Sequence, residues 1–411
     1  MLRPGFFCPE SIIKSVAVSS ADLAVINTRP TWAEVDLSAL RHNYRTLSSH
    51  VAPKAQICAV VKCDAYGHGA LECAQALEAE GAKWFGVTNP SEALVLRRGG
   101  IKGRILLLSG FWQGEEESVL EHDFTPAVWT EGHVAWLDAA AKRFGRTKVP
   151  VHLKIDTGMS RLGVRWNELP TLLPKLFRAR RLSIEGVWSH LASSEVVDAF
   201  DAQAQIANFE QALTYLADEG VKWKYRHLAN SAAVAVRPST WYDMVRPGLL
   251  LYGHCLPLTH TNHVSPDVHL QLALKPVLSW KTRVVDIRRV PAGQGVGYGS
   301  TFTTRKPSLL ATIPVGYGDG YLRALSNKGR ALVRGEYAPI AGNVSMDLTI
   351  IDVSRIPGVA VGDEVTLIGR DGEKSIEIEE LARHYQSIAY EVMCGISKRV
   401  PRKYIGESRG E

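Results

Sequence analysis

Eight short apolar runs recur between residues 56 and 247, with amphipathic stretches between most of them. They are QICAVV (56–61), WFGV (84–87), RILLLS (104–109), TPAVW (125–129), VPVHLKI (149–155), LSIEGVWS (182–189), YRHLA (225–229) and YDMVRP (242–247). Runs of this length, apolar nearly throughout, suit strands buried on both faces. The intervening segments, such as GALECAQALEAEG and GHVAWLDAAAKRFG, carry apolar residues at spacings of three and four and close on glycine, as helices do. Eight strands alternating with helices predict a (β/α)8 TIM barrel over residues 40–253. The rival is an open doubly wound sheet. Its common nucleotide-binding version needs a glycine-rich fingerprint at a strand-to-helix turn. GQGVGYG at 293–299 has the glycines without that context.

From about residue 254 the texture changes. Residues 254–270 read as a linker, and 271–404 as a mostly β C-terminal domain in which SIEIEELARHYQS is the one good helix. TWAEVD, from Thr31, alternates like a strand, and residues 31–39 are assigned to that β domain. Asp36 is placed to cap the helix that follows. Residues 1–30 form an N-terminal extension and 405–411 a tail. A barrel has no free edges, but the second domain does, so it is the part that seeks a partner subunit.

The formal charge of +6 is modest for 411 residues, and no tract of five basic residues occurs, which argues against nucleic acid. No apolar run approaches the roughly 18 residues of a membrane span. The first 30 residues show no uninterrupted apolar core of a signal peptide. Six cysteines without a C-x-x-C pair suit a reduced, cytoplasmic protein. Histidines 254, 260, 263 and 269 are irregularly spaced in linker-like sequence, so no metal site is expected.

Catalytic residues of such barrels sit where strands run out at the carboxyl face. Lys62 follows the first run; Lys154 and Asp156 lie on the fifth, with Arg161 beyond; His190 ends the sixth; Asn230 and Ser231 follow the seventh; Arg246, Pro247 and Gly248 end the eighth. Each has a plain structural explanation: a surface lysine, a packed histidine, a helix-capping serine, an arginine paired with Asp243 or Asp156. Together they place unusual polar groups around one mouth. A lysine amine without a metal cage suits Schiff-base chemistry, and pyridoxal 5'-phosphate is the aldehyde that serves as a carbanion sink. The NS at 230–231 and RPGLLLYG at 246–253 supply hydroxyl, amide and glycine for a phosphate. An arginine at the ring nitrogen would keep its own proton and restrain the sink.

The blocks AEVDLSALRHNY, AVVKCDAYGHG, LKIDTGMSRLG, WSHLASS, ANSAA, VRPGLLLYG, VGYGSTF, PVGYGDGY, GNVSMD and YEVMCGISKRVPR occur in an order that resembles the alanine racemase family over residues 31–404. The resemblance implies a cytoplasmic homodimer that interconverts L- and D-alanine for peptidoglycan. Two bases would remove and return the Cα proton of a pyridoxal-phosphate-bound substrate. Lys62 would hold the cofactor and act as one base, and Tyr298, from the other subunit, would be the base on the opposite face. A network of Arg246, His190 and Tyr298 would tune that tyrosine. Tyr66, Asn230, Ser231, Gly248, Leu249 and Tyr390 are implied around the cofactor, with Arg161 near its ring hydroxyl and the substrate carboxylate. Met346, Asp347 and Tyr317 would contact the substrate or line its access route, and Lys154 matches a position that is carbamylated in the family. Cys63, Asn343 and Ser345 stand where the family usually has alanine, arginine and cysteine. The alternatives are a serine or broad-specificity racemase, a decarboxylase of the same cofactor fold, and a cofactor-carrying protein without catalysis.

Overall fold

The computed structural model describes residues 29–261 and 271–406. The N-terminal extension up to residue 28, His263, His269 and residues 407–411 lie outside them. From Thr31 onward the chain forms one compact unit.

The eight predicted runs form parallel strands in the order Met244–Val245, Gln56–Val60, Trp84–Val87, Arg104–Leu107, Thr125–Val128, Val149–Asp156, Leu182–Trp188 and Tyr225–His227. Met244 pairs with Gln56, so the last strand returns to the first. The remaining seam carries single bonds, Asp243 N to Arg226 O at 3.1 Å and Arg246 N to Ala229 O at 3.0 Å. The result is a nearly closed barrel with helices outside. Strands such as Trp84–Val87 and Thr125–Val128 are buried at every residue, as their continuous apolar sequence requires. Cys58, Trp84, Leu106, Tyr225 and Met244 pack together as a cluster inside the barrel.

The β domain has one sheet in the order Glu336–Pro339, Arg330–Val333, Glu364–Asp371, Leu278–Arg283, Thr31–Asp36, Arg402–Ile405, and a second of Asp286–Val290, Ser308–Ile313 and Thr349–Asp352. Thr31–Asp36 runs antiparallel to Leu278–Arg283 and parallel to Arg402–Ile405. The Asp36 carboxylate then accepts from Ser38 N at 2.8 Å and Ala39 N at 3.0 Å, capping helix Leu37–Val51. Such a cap contributes about 1 kcal/mol. The sequence reading allowed one good helix in this domain. The structure has two, Ile378–Tyr385 and Ala389–Gly395. The second spans only seven residues, too few for a helical period to show.

Candidate active site

A cavity of about 670 Å³ opens at the carboxyl end of the barrel, lined by Lys62, Tyr66, Lys154, Arg161, His190, Asn230, Ser231, Arg246, Gly248 and Tyr390 among others. Ten sequence-selected residues thus meet in one place. Leu249 lies directly beyond Gly248, with its side chain wholly buried.

Lys62 opens a turn of unusual hand. Cys63, Asp64, Ala65 and Tyr66 all have φ between 53° and 55°, a left-handed helical turn of four non-glycine residues. Each such residue costs on the order of 1–2 kcal/mol. The surroundings fix it. Glu92 accepts from Cys63 N at 2.8 Å and from Thr88 N at 2.7 Å, splinting the first strand's loop to the second's. The wholly buried His68 ring donates from Nδ1 to Ala65 O at 2.8 Å and Tyr66 O at 3.0 Å. Arg402 donates to Gly67 O at 2.9 Å. Burial, and after it Arg161, lowers the proton affinity of the Lys62 amine.

Arg246 is 4 % exposed and has no carboxylate hydrogen-bonded to it among the described residues. Asp243 is taken by Arg226 at 2.8 Å, and Asp156 caps Gly158 N and Ser160 N at 3.0 Å each. Neither is the arginine's partner. Arg246 instead donates to Ser189 O at 2.8 Å, Leu228 O at 3.1 Å and His227 Nδ1 at 2.9 Å, with His190 Nδ1 at 3.4 Å. Burial brings it down to about 10, so it stays cationic at neutral pH. Burial, then Arg246 and Arg161, holds His190 well below the usual imidazole range, and it stays neutral.

Beneath Arg246 runs a polar chain that the sequence reading missed. His227 Nε2 lies 2.8 Å from His152 Nδ1, His152 Nε2 is 3.8 Å from Glu185, and Glu185 pairs with Arg104 at 2.6 Å. Trp188 stacks on His227 and lies under both cations, 4.7 Å from Arg246 and 3.9 Å from Lys154 Nζ. One signal was available: in VPVHLKI, His152 and Lys154 are two apart, so both face the barrel interior. Burial, then Arg246, Arg161 and Lys62, brings Lys154 down to about 7.

The residues fit pyridoxal phosphate. The volume falls within the ordinary cofactor range of roughly 300–1,000 Å³. The Ser231 hydroxyl accepts from Gly248 N at 2.9 Å and Leu250 N at 3.4 Å, and keeps its own proton to donate. Tyr66 and Tyr390 supply phenols, their rings 5.6 Å apart. At Gly248 an added Cβ would stand 2.3 Å from the Tyr66 hydroxyl, so only glycine leaves that corner open.

Besides Leu249, four selected residues do not line this cavity. Tyr298 sits in the loop between Gly295–Val296 and Phe302–Thr303 and is 75 % exposed. Its carbonyl accepts from Asn343 Nδ2 at 2.7 Å. Tyr317 N bonds Ser345 O at 3.0 Å and Gly318 N bonds Met346 O at 2.9 Å, gathering Tyr317, Met346 and Asp347 on the β domain, where Arg399 pairs with Asp347. Tyr317 and Met346 are also exposed. In the linker region His254 pairs with Glu379 at 3.1 Å, and His260 is 3.8 Å from Asp198. No helix among the described residues is long and apolar enough to cross a membrane.

Family models for the alanine racemase N-terminal and C-terminal domains match residues 35–255 and 277–404. An alanine racemase of Halothermothrix orenii is 41% identical over 377 residues, covering 92% of this chain and 97% of that one. Among solved structures, an alanine racemase of Clostridium difficile superposes with a TM-score of 0.85 at 34% identity, covering 92% of this chain and 96% of that one. An alanine racemase of Bartonella henselae with covalently bound pyridoxal phosphate gives 0.79 at 34% identity, covering 92% and 99%.

Proposed function

The chain belongs to the alanine racemase family, and from that premise we propose that its cavity is half of an active site which a second copy completes. The activity is the pyridoxal-phosphate-dependent interconversion of L- and D-alanine. The observation that carries it is the meeting, in one cavity, of a lysine with lowered proton affinity and a buried arginine without a carboxylate hydrogen-bonded to it among the described residues.

Lys62 would hold the cofactor, Arg246 its ring nitrogen, and Ser231, Gly248, Asn230, Leu249, Tyr66 and Tyr390 its phosphate end. When bound, the cofactor supplies an electron sink that makes the substrate Cα–H acidic. Arg246 donates a hydrogen bond without giving up its proton, which moderates that sink. A decarboxylase would profit from an acid at the same place, so the arginine favours racemisation. Lys62 takes or returns a proton on one face of Cα, and burial lowers the basicity of its amine. Neutral His190, beside Arg246, can pass a proton toward a base on the other face. Arg161 faces the substrate carboxylate.

The opposite-face base is Tyr298 of a second subunit. What supports this is its exposure away from this chain's cavity, together with exposed Tyr317 and Met346 on the same domain. Met346, Asp347 and Tyr317 then contact substrate or access route in the partner's site. The partition into barrel 40–253, linker 254–270 and β domain 271–404, cytoplasmic location and a role supplying peptidoglycan belong to the same reading. Racemisation of L-alanine by the holoenzyme, followed by chiral separation, tests it. Rapid D-alanine formation is expected, with L-serine much slower. Equal rates would make it a broad-specificity racemase, the reading to which Asn343 and Ser345 point. Carbon dioxide release without D-product would refute it.

Lys154 is the site of a carbamate. Its neutral amine attacks carbon dioxide, forming N–C and releasing one proton. Because only the neutral form reacts, occupancy is expected to rise with pH through about 7. Native mass spectrometry with and without bicarbonate should show the added mass of one carbon dioxide, absent in Lys154→Ala. The anion would sit beside Arg161 and orient it.

A further inference from the structure

Cys63 and Cys394 lie more than 300 residues apart in sequence and meet beside Lys62. Cys63 is the first residue of the left-handed turn, with φ 53° and ψ 50°. Cys394 belongs to helix Ala389–Gly395, which also carries Tyr390. Both cysteines are exposed. The two elements press on each other: a Cβ at Gly67 would lie 2.5 Å from Met393 O and 3.5 Å from the Cys394 Cα. Cys63 acts on the Cys394 thiol and raises its proton affinity. The other described cysteines stand apart, Cys58 and Cys73 being buried and Cys255 only partly accessible.

We propose that Cys63 and Cys394 form a reversible, peroxide-driven disulfide that clamps the Lys62 turn to the Tyr390 helix and slows the enzyme. The exposed Cys63 thiolate attacks hydrogen peroxide. The O–O bond breaks, hydroxide leaves as water after protonation, and Cys63 becomes a sulfenic acid. Cys394 sulfur then attacks the Cys63 sulfur, gives up its proton, and the S–O bond breaks to release a second water. Two thiols and one peroxide become one disulfide and two waters, with two electrons passing from sulfur to oxygen. Burial, then Cys63, pushes the Cys394 thiol up to about 12, so Cys394 is the poorer first nucleophile and reacts only after Cys63 has been oxidised. The clamp joins backbone adjacent to Lys62 to the helix that carries Tyr390. A lysine that must alternate between holding cofactor and moving protons loses freedom there. A transient regulatory disulfide of this kind is compatible with a reducing compartment.

The test treats holoenzyme with hydrogen peroxide, quenches with iodoacetamide and maps peptides without reduction. A Cys63–Cys394 cross-linked peptide is expected, with activity down about tenfold and both effects reversed by dithiothreitol. Cys63→Ala and Cys394→Ser should keep basal activity and lose the peroxide response. Two alkylated, uncross-linked thiols after treatment, or Cys63 carried to sulfinic acid without a cross-link, would overturn the proposal. Inhibition persisting in Cys63→Ala would do so as well. The peptide map reads the disulfide whether or not Lys62 holds the cofactor, so failure of the thiol chemistry is separable from failure of the functional reading.

Discussion

Lys62→Ala and Tyr298→Phe preparations, each slowed by about 10³-fold or more, are expected to regain about a quarter of wild-type activity once their subunits exchange. The arithmetic follows from a site built from two chains. Random reassortment makes half of the dimers mixed. In each mixed dimer one site receives both substitutions and is doubly defective, and the other joins an intact lysine to an intact tyrosine. Cofactor absorbance separates the parents beforehand, since Lys62→Ala should lose the covalent chromophore and Tyr298→Phe keep it. Native mass spectrometry verifies the mixed species. Mixed dimers without recovery would place Tyr298 outside the partner's site. The expectation rests on the geometry: Lys62 faces a cavity in this chain, whereas Tyr298 projects from the β domain with 75 % of its surface exposed.

Acid should unfold the protein steeply, and His68 should account for a measurable part. His68, His152 and His227 are wholly buried. Burial first of all brings His68 down to about 3, holds His227 well below the imidazole range and lowers His152. The folded values lie below the unfolded one of about 6.5. The unfolded chain therefore binds protons first, and stability is full above about pH 6.5 and falls as the pH drops toward the folded values. For His68 alone this removes about 2 kcal/mol by pH 5. The reason is local. Nδ1–H already serves two carbonyls, while Nε2 has no partner among the described residues and the ring stacks on Tyr252 at 4.4 Å. A second proton would be buried without an acceptor. Urea midpoints between pH 7 and 4 measure the slope. His68→Asn, whose amide can replace the Nδ1 donor, should flatten it by about one proton; an unchanged slope would show that His68 titrates normally.

The barrel was legible because its strands are buried on both faces, and burial writes itself into sequence as uninterrupted apolar runs. The strand ends were legible for the opposite reason: Lys62, His190 and Arg246 are polar residues where an apolar strand stops. Residues inside the barrel were harder. His227 and Trp188 sit within strands, and their roles depend on which neighbours the closed barrel brings against them. Arg246 shows the same limit. Asp243 was a sound sequence neighbour, yet the register hands it to Arg226. The left-handed turn left little trace in composition either, since Cys63, Ala65 and Tyr66 have no preference for it and only Asp64 tolerates it readily; contacts from Glu92, His68 and Arg402 impose it. Helix Ala389–Gly395 was missed by length alone, and with it the neighbour of Cys63.

The strand Thr31–Asp36 lies between Leu278–Arg283 and Arg402–Ile405. Of these three strands it is synthesised first, Leu278–Arg283 second and Arg402–Ile405 third. At synthesis rates of about 5–20 residues per second the wait is on the order of tens of seconds. Throughout that time a strand with both edges bare waits for the two that will flank it. A transcript cut short of Arg402 therefore yields no slightly trimmed enzyme. It yields a chain in which Thr31–Asp36 has one edge unpaired and the Lys62 turn is left without Arg402.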